Sequence, residues 1–289
     1  MGCGDCCSAL RQEFTFSRLG YRQDAAKWSQ SFASSWLISN QKTYLVVRAA
    51  FAILMCAVLF WSWGDMAKDG DWHFWWIYLT HWTLLLQCTY LGFAVFTTWR
   101  VYSQTLRMEP QEANDSSEPE TSPWWVTATW LLHDVAFPGA FVVTLTYWLL
   151  VFEPPLESAL SPLTHGLTFV VMLADMVLSN MPLHLMHAVY FVAYGLVYIF
   201  FTIMFAVGDG TTQNDSDFVY EVLDWKSEPG TAAVYCAAIA FVLSPLSSLL
   251  LWSCTYARTE KAGSRSNTVR SSSAFSRPQV DSATNANNL

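Results

Sequence analysis

The chain has 289 residues, of which 53% are hydrophobic, 16% aromatic and only 13% charged. A soluble domain carries about 25% charged residues, so composition excludes an ordinary soluble enzyme and gives no reason to expect a nucleic-acid partner. What it points to is an all-α, polytopic membrane protein; the net charge of −8 says little, because the charges are segregated along the chain.

The chain begins "MGCGDCC". No second Cys/His pair follows nearby, so Cys3, Cys6 and Cys7 are not read as zinc ligands. Gly2 followed by Cys3 suggests acylation. Myristoylation prefers Ser or Thr at position 6, where this chain has Cys6, so palmitoylation of one or more of these cysteines is the expectation. No secretory signal peptide is expected, since the first long apolar run starts after residue 43. Residues 1–43 are therefore read as a cytoplasmic N-terminal segment.

Spanning a bilayer takes about 20 mostly apolar residues. Six stretches qualify: Tyr44–Trp63, His73–Trp99, Trp125–Phe152, Leu163–Asn180, Leu183–Val207 and Ala232–Cys254. Together they make one six-helix bundle over residues 44–255. Cys56, Cys88, Cys236 and Cys254 lie in these runs or at their ends and read as small buried hydrophobes. Only Met181 and Pro182 separate the fourth and fifth stretches. Pro182 suits the first turn of the fifth helix, where its missing N–H costs nothing. Residues 256–289, rich in Ser, Asn and Arg, read as a disordered tail.

Of the 15 Lys and Arg, only Lys68 and Lys226 fall on the side opposite the termini, which by the positive-inside rule places both termini in the cytoplasm. The triplet Asn214-Asp215-Ser216 then lies outside and is open to glycosylation, whereas Asn114-Asp115-Ser116 lies inside.

Polar side chains within a membrane are costly, so their placement is informative. His73, Trp76, Thr80, Thr83 and Gln87 recur at steps of three and four in the second stretch, as do His165, Thr168, Met172, Asp175 and Ser179 in the fourth. His184, His187, Tyr194 and Tyr198 repeat the pattern in the fifth, and the third adds His133 and Asp134. These stripes are expected to face one another. A rise of ~1.5 Å per residue puts Thr80 about 10 Å into the second helix and Asp175 roughly 15 Å deeper than His165. Thr80 and His165 can then meet in the outer half of the bundle.

A Thr hydroxyl becomes a nucleophile when a base takes its proton, and neutral His is the usual base. In an apolar site reached from lipid the fitting substrate is a fatty-acyl ester, with Thr80 attacking and His165 carrying the proton. Gln87, two turns below, is a doubtful oxyanion donor; the N–H of His81 or Trp82 is the alternative. The plainer reading of Thr80 is a hydroxyl bonded to a backbone carbonyl. His81, Gln87, Asp175, His184 and His187 are read as a secondary polar network, structural or functional, and Asp175 in particular needs a partner or a proton.

"YLTHWTLLLQ", then "THGLTFVVMLADMVLSNMPL" and "GLVYIFF", resemble the rolling stone family of eukaryotic membrane proteins over about residues 40–255. A more distant resemblance is to the androgen-induced (FAR-17a) family of six-helix proteins. That second resemblance implies a Thr/His hydrolase of fatty acid esters of hydroxy fatty acids, with Thr80 and His165 at the matching positions. The rolling stone resemblance implies an association with myoblast fusion, and hydrolysis does not follow from it. His81, Trp82 and the His184–His187 pair depart from the androgen-induced pattern. A non-enzymatic role in fusion or adhesion is therefore the alternative. Use of the histidines by haem, or of His184, His187 and Asp175 by zinc, is a third and weaker reading; no cofactor and no metal are expected.

Overall fold

The computed structural model of the protein describes residues 3–21, 28–107, 122–152 and 159–258. Two short helices, α1 (Cys3–Glu13) and α2 (Trp28–Ala33), precede the bundle. Six helices long and apolar enough to cross a membrane follow: α3 (Gln41–Lys68), α4 (Leu79–Arg107), α5 (Trp124–Val151), α6 (Leu160–Leu178), α7 (Leu185–Val207) and α8 (Pro229–Arg258). Among the described residues there is no strand beyond one isolated bridge, between Ser35 and Ser179. The chain is an all-α, six-span membrane protein.

Asn40 starts α3, its side chain accepting the Thr43 N–H at 3.1 Å, which satisfies one of the free donors of the first turn. Helix α4 packs along both α3 and α5, and α5 also touches α6 and α7. The shared core holds Met55, Leu84, Leu91, Trp130, Phe137 and Met172. Gly139 lets α5 approach α4: a Cβ there would sit 3.2 Å from Thr83 Cγ2. The outward faces carry Ile53, Phe60, Phe200 and Phe241, all exposed, as an apolar surface against lipid requires.

Two boundaries differ from the sequence reading. The second span does not begin at His73. Residues Trp72–Ile77 form a 3-10 turn, Tyr78 is extended, and α4 begins at Leu79. Thr80 therefore lies in the first turn of its helix rather than about 10 Å in, and His73 and Trp76 leave its stripe. Hydrogen bonds from the aromatic run explain the break: Trp75 Nε1 donates to Ser62 Oγ and Trp82 Nε1 to the Trp76 carbonyl, at 3.0 and 2.6 Å. Nor does Pro182 open α7. It lies in a non-helical link, where its carbonyl accepts Trp130 Nε1 at 3.1 Å, and α7 begins at Leu185. His184 is extended at φ −109°, ψ 137°.

The partner Asp175 requires is Arg48, from α3. Its Nε donates to Asp175 Oδ1 at 3.0 Å, and Tyr90 donates to Oδ2 at 2.5 Å. The guanidinium also reaches the Phe32 carbonyl at 2.7 Å and Thr98 Oγ1 at 3.0 Å. Both ions are buried, Arg48 at 0% and Asp175 at 1% exposure. Two charges taken out of water each cost several kcal/mol, recovered only when geometry and further hydrogen bonds are good. Here the cation and anion tie α2, α3, α4 and α6 together.

Candidate functional site

Thr80 and His165 line one cavity of about 310 Å³, with Ser62, Asp65, His81, Tyr147, Thr164 and Tyr220 among its other walls. At Thr80 this cavity adjoins a second, of about 110 Å³, walled mainly by Leu79, Val143, Leu150, Ile199, Leu223 and Ile239. Thr80, Tyr147, Val151 and Tyr220 border both. A third space, about 50 Å³, continues the apolar series past Gly139, Val142, Phe191 and Gly195. A chamber with Ser, Thr, Tyr, Asp and His side chains on its walls and a more apolar slot thus share one border, and Thr80 is on it.

Thr80 and His165 are not hydrogen-bonded to each other. The Tyr220 hydroxyl, which accepts the Leu79 N–H at 3.1 Å, stands with Thr80 on the border of the two cavities. Tyr220 comes from the segment joining α7 and α8. Burial raises its pKa, against the Leu79 N–H bond that acts to lower it. His165 lies flat on Tyr147, centroids 3.5 Å apart and planes within 3°, and its buried Nδ1 has no partner. An imidazole across a cavity from a hydroxyl can act as its base when a substrate bridges them; such hydrogen bonds are often absent before substrate binds.

Local helix geometry sets this arrangement. Tyr147–Val151 and Leu163–Leu167 are both single π-helical turns, the first ending α5 and the second just inside α6. Such turns recur at functional sites, and these two bring Tyr147 and His165 face to face.

The other residues singled out by sequence fall in separate places. His81 joins the cavity wall. Its Nδ1 faces the Trp75 carbonyl at 2.7 Å and its Nε2 the Ser62 Oγ at 3.0 Å. Gln87 is buried on α4, and its Oε1 lacks a partner; nothing places it at the Thr80 cavity. Asp175 belongs to the Arg48 pair. His184 Nδ1 meets Glu13 at 3.1 Å, and the Leu185 N–H donates to the same carboxylate at 3.0 Å. His187 Nδ1 meets Asp134 Oδ2 at 2.5 Å, with His133 on the other oxygen at 3.3 Å. The expected single network is therefore three: a cavity wall, a buried ion pair, and a His–carboxylate cluster under the N-terminal segment. Among the described residues no group of three or more His, Cys, Asp and Glu could hold a metal ion, and Asp175 does not join His184 and His187. The side chains of Cys3, Cys6 and Cys7 lie outside the described residues; Asn214 is exposed in the segment between α7 and α8.

Sequence reasoning missed Ser62, Tyr147 and Tyr220. Ser62 is a single hydroxyl in an apolar run, and Tyr220 sits in a loop whose return over the bundle has no local signature. Arg48 was visible only as a topology marker; the signal available was that a lone intramembrane carboxylate calls for a cation.

No solved structure matches this chain. The protein rolling stone of Drosophila melanogaster is 25% identical to it over 230 residues, which cover 77% of this chain and 81% of the relative. The family model described as protein rolling stone matches residues 3–266, nearly the whole length. The chain belongs to the rolling stone family.

Proposed function

We propose that this rolling stone family member hydrolyses fatty-acyl esters within the membrane, with Thr80 as nucleophile and His165 as base. One observation carries the reading: Thr80 stands where the polar cavity holding His165 meets the apolar one. An ester with its acyl chain in the apolar slot presents its carbonyl at Thr80 and its alcohol portion to the polar chamber. The Thr80 proton passes to His165, the hydroxyl oxygen joins the carbonyl carbon, and the alcohol leaves with that proton. Water then releases the acid by the same route. The resemblance to the androgen-induced hydrolases supports this assignment of roles.

The distribution of Lys and Arg supports cytoplasmic termini, so the cavity opens on the outer half of the membrane. The N-terminal cysteines then lie where palmitoylation occurs, and Asn214 lies where glycosylation does.

The test is hydrolysis of a series of acyl esters by the purified protein in lipid nanodiscs. Thr80→Ala and His165→Ala each lower the rate by at least about a hundredfold, while Thr80→Ser retains activity. Folded wild-type protein that hydrolyses no member of the series overturns the proposal, as do variants that match wild type. The first result favours the non-enzymatic role in fusion or adhesion; the second assigns the hydrolysis to other residues of the cavity.

A further inference from the structure

The cavity holds a second hydroxyl–imidazole pair, and that pair is already hydrogen-bonded. The Trp75 carbonyl can only accept, so the contact from His81 Nδ1 at 2.7 Å places the ring proton on Nδ1. In the neutral ring Nε2 then offers a lone pair, and Ser62 Oγ, 3.0 Å away, donates to it. The Trp75 indole N–H donates in turn to Ser62 Oγ at 3.0 Å. Its ring lies parallel to the imidazole, centroids 4.4 Å apart and planes within 2°. One tryptophan thereby fixes the tautomer of the histidine through its carbonyl and the position of the serine through its indole. Hydroxyl, base and orienting acceptor stand in the order that nucleophilic catalysis requires. Ser62 is only 1% exposed, yet Ser62 and His81 both line the cavity that Thr80 and His165 share.

A purely structural clip between α3 and the 3-10 turn would account for the hydrogen bonds. It would not need to line a cavity that also holds Thr80 and His165. We infer that Ser62 is a nucleophile of this cavity, with His81 as its base and the Trp75 carbonyl as the group that orients His81. The inference rests on reading the cavity as an acyl-ester site and puts Ser62 in place of Thr80 as the residue that attacks, so that Thr80→Ala retains hydrolysis if Ser62 is the nucleophile and loses it if Thr80 is. Thr80 acquires its base only when an ester bridges it to His165, whereas Ser62 holds one beforehand. In the step, Ser62 Oγ bonds to the ester carbonyl carbon as its proton moves to His81 Nε2. The C–O bond to the alcohol breaks, and the alcohol leaves with that proton. A water then attacks the Ser62 acyl ester, giving its proton to Nε2; the fatty acid departs and Ser62 recovers its hydrogen. Atoms balance with water as the sole co-reactant.

The test treats the full-length protein in nanodiscs with a long-chain alkyl fluorophosphonate and maps the adduct by peptide mass spectrometry, alongside ester hydrolysis. The expected adduct is on Ser62. It persists in Thr80→Ala, disappears in Ser62→Ala, and forms at least about a hundredfold more slowly in His81→Phe. Because His81→Phe removes a clip and can unfold the loop, Ser62→Cys is run with it. That variant keeps the shape, and its thiol is expected to be alkylated by a long-chain iodoacetamide that the acyl-ester substrate blocks. An adduct on Thr80 alone, with Ser62→Ala labelled and active like wild type, overturns the role of Ser62 and leaves ester hydrolysis standing. Neither adduct nor hydrolysis from folded wild-type protein overturns both.

Discussion

Replacing Asp175 by Asn keeps the side-chain volume and removes the charge that Arg48 neutralises. The guanidinium, 0% exposed, is left with neutral oxygens: the Phe32 and Ala94 carbonyls and Thr98 Oγ1, at 2.7, 3.4 and 3.0 Å. Removing one partner of a buried pair costs about 3–5 kcal/mol, because the other charge remains without compensation. In a domain of this size each kcal/mol moves Tm by roughly 2–4 °C, so Asp175→Asn is expected to lower it by about 6–20 °C. Thermal unfolding of the detergent-solubilised protein, followed by tryptophan fluorescence and by loss of the monodisperse chromatographic peak, reads this directly. The double variant Arg48→Met/Asp175→Leu removes both charges and should recover most of the loss, since apolar replacement of a buried pair is often neutral or better. A single variant as stable as wild type would refute the argument that the pair is held by mutual neutralisation. So would a double variant no better than the single.

Burial pushes the Glu13 carboxyl up, but the hydrogen bond and charge of His184, the Leu185 N–H and Arg18 outweigh it and hold its pKa below the ordinary 4.5. A depressed folded-state pKa contributes stability above the unfolded value and loses it as pH falls through the folded one. Hydrogen exchange in α1 and its following turn should therefore accelerate as pH drops below about 4.5, after correction for intrinsic exchange, and Glu13→Gln should abolish that dependence. Gly195 borders both apolar cavities, and a Cβ there meets nothing within 4 Å. Gly195→Leu should spare stability while shifting ester preference to shorter acyl chains, and an unchanged chain-length profile would remove the apolar slot from the proposed reaction. At Gly139, by contrast, a Cβ lies 3.2 Å from Thr83 Cγ2 and 3.6 Å from Phe191. Gly139→Val should cost about 1–3 kcal/mol by overpacking, seen as a lowered Tm.

The six spans were legible because each is a long apolar run that only a helix can carry through hydrocarbon. That Thr80 and His165 lie toward the same end of the bundle was legible too, since both spans enter from the same side, although helical rise counted from His73 put Thr80 too deep. What was not legible depends on contacts distant in sequence. Periodicity extends an apolar run without seeing that Ser62, 13 residues before Trp75, captures its indole N–H and bends the approach to α4 into a 3-10 turn. The same limit explains Pro182. A Pro is compatible with a first helical turn, but here its carbonyl is held by Trp130, 52 residues earlier, and the link stays extended. Stripes of polar residues predicted interior faces, yet could not say that Asp175 pairs with Arg48 while His187 pairs with Asp134. The charges sort by depth and by which helices touch, and no single helix records that.

Three departures from α-helix gather around the cavities, and they share one physical consequence. In each π turn an N–H reaches the carbonyl five residues back: Phe152 to Tyr147, at 2.8 Å, Thr168 to Leu163, and Ser244 to Ile239. One extra residue per turn rotates every later side chain relative to the stripe an unbroken α-helix would show. On α6 the turn spans His165 itself, so its direction follows from the bulge rather than from the stripe through Thr168 and Asp175. On α5 the turn begins at Tyr147, the ring on which His165 lies. On α8 it begins at Ile239, a wall of both apolar cavities. The Arg48–Asp175 pair fixes α3 against α6 with strong, fully satisfied bonds, while the cavity residues sit on turns whose geometry departs from the bundle's own. Irregular turns at a site and firm ion pairing elsewhere are a division expected of a protein that does chemistry. That contrast weighs for a working site over a run of polar residues merely tolerated in a buried helix.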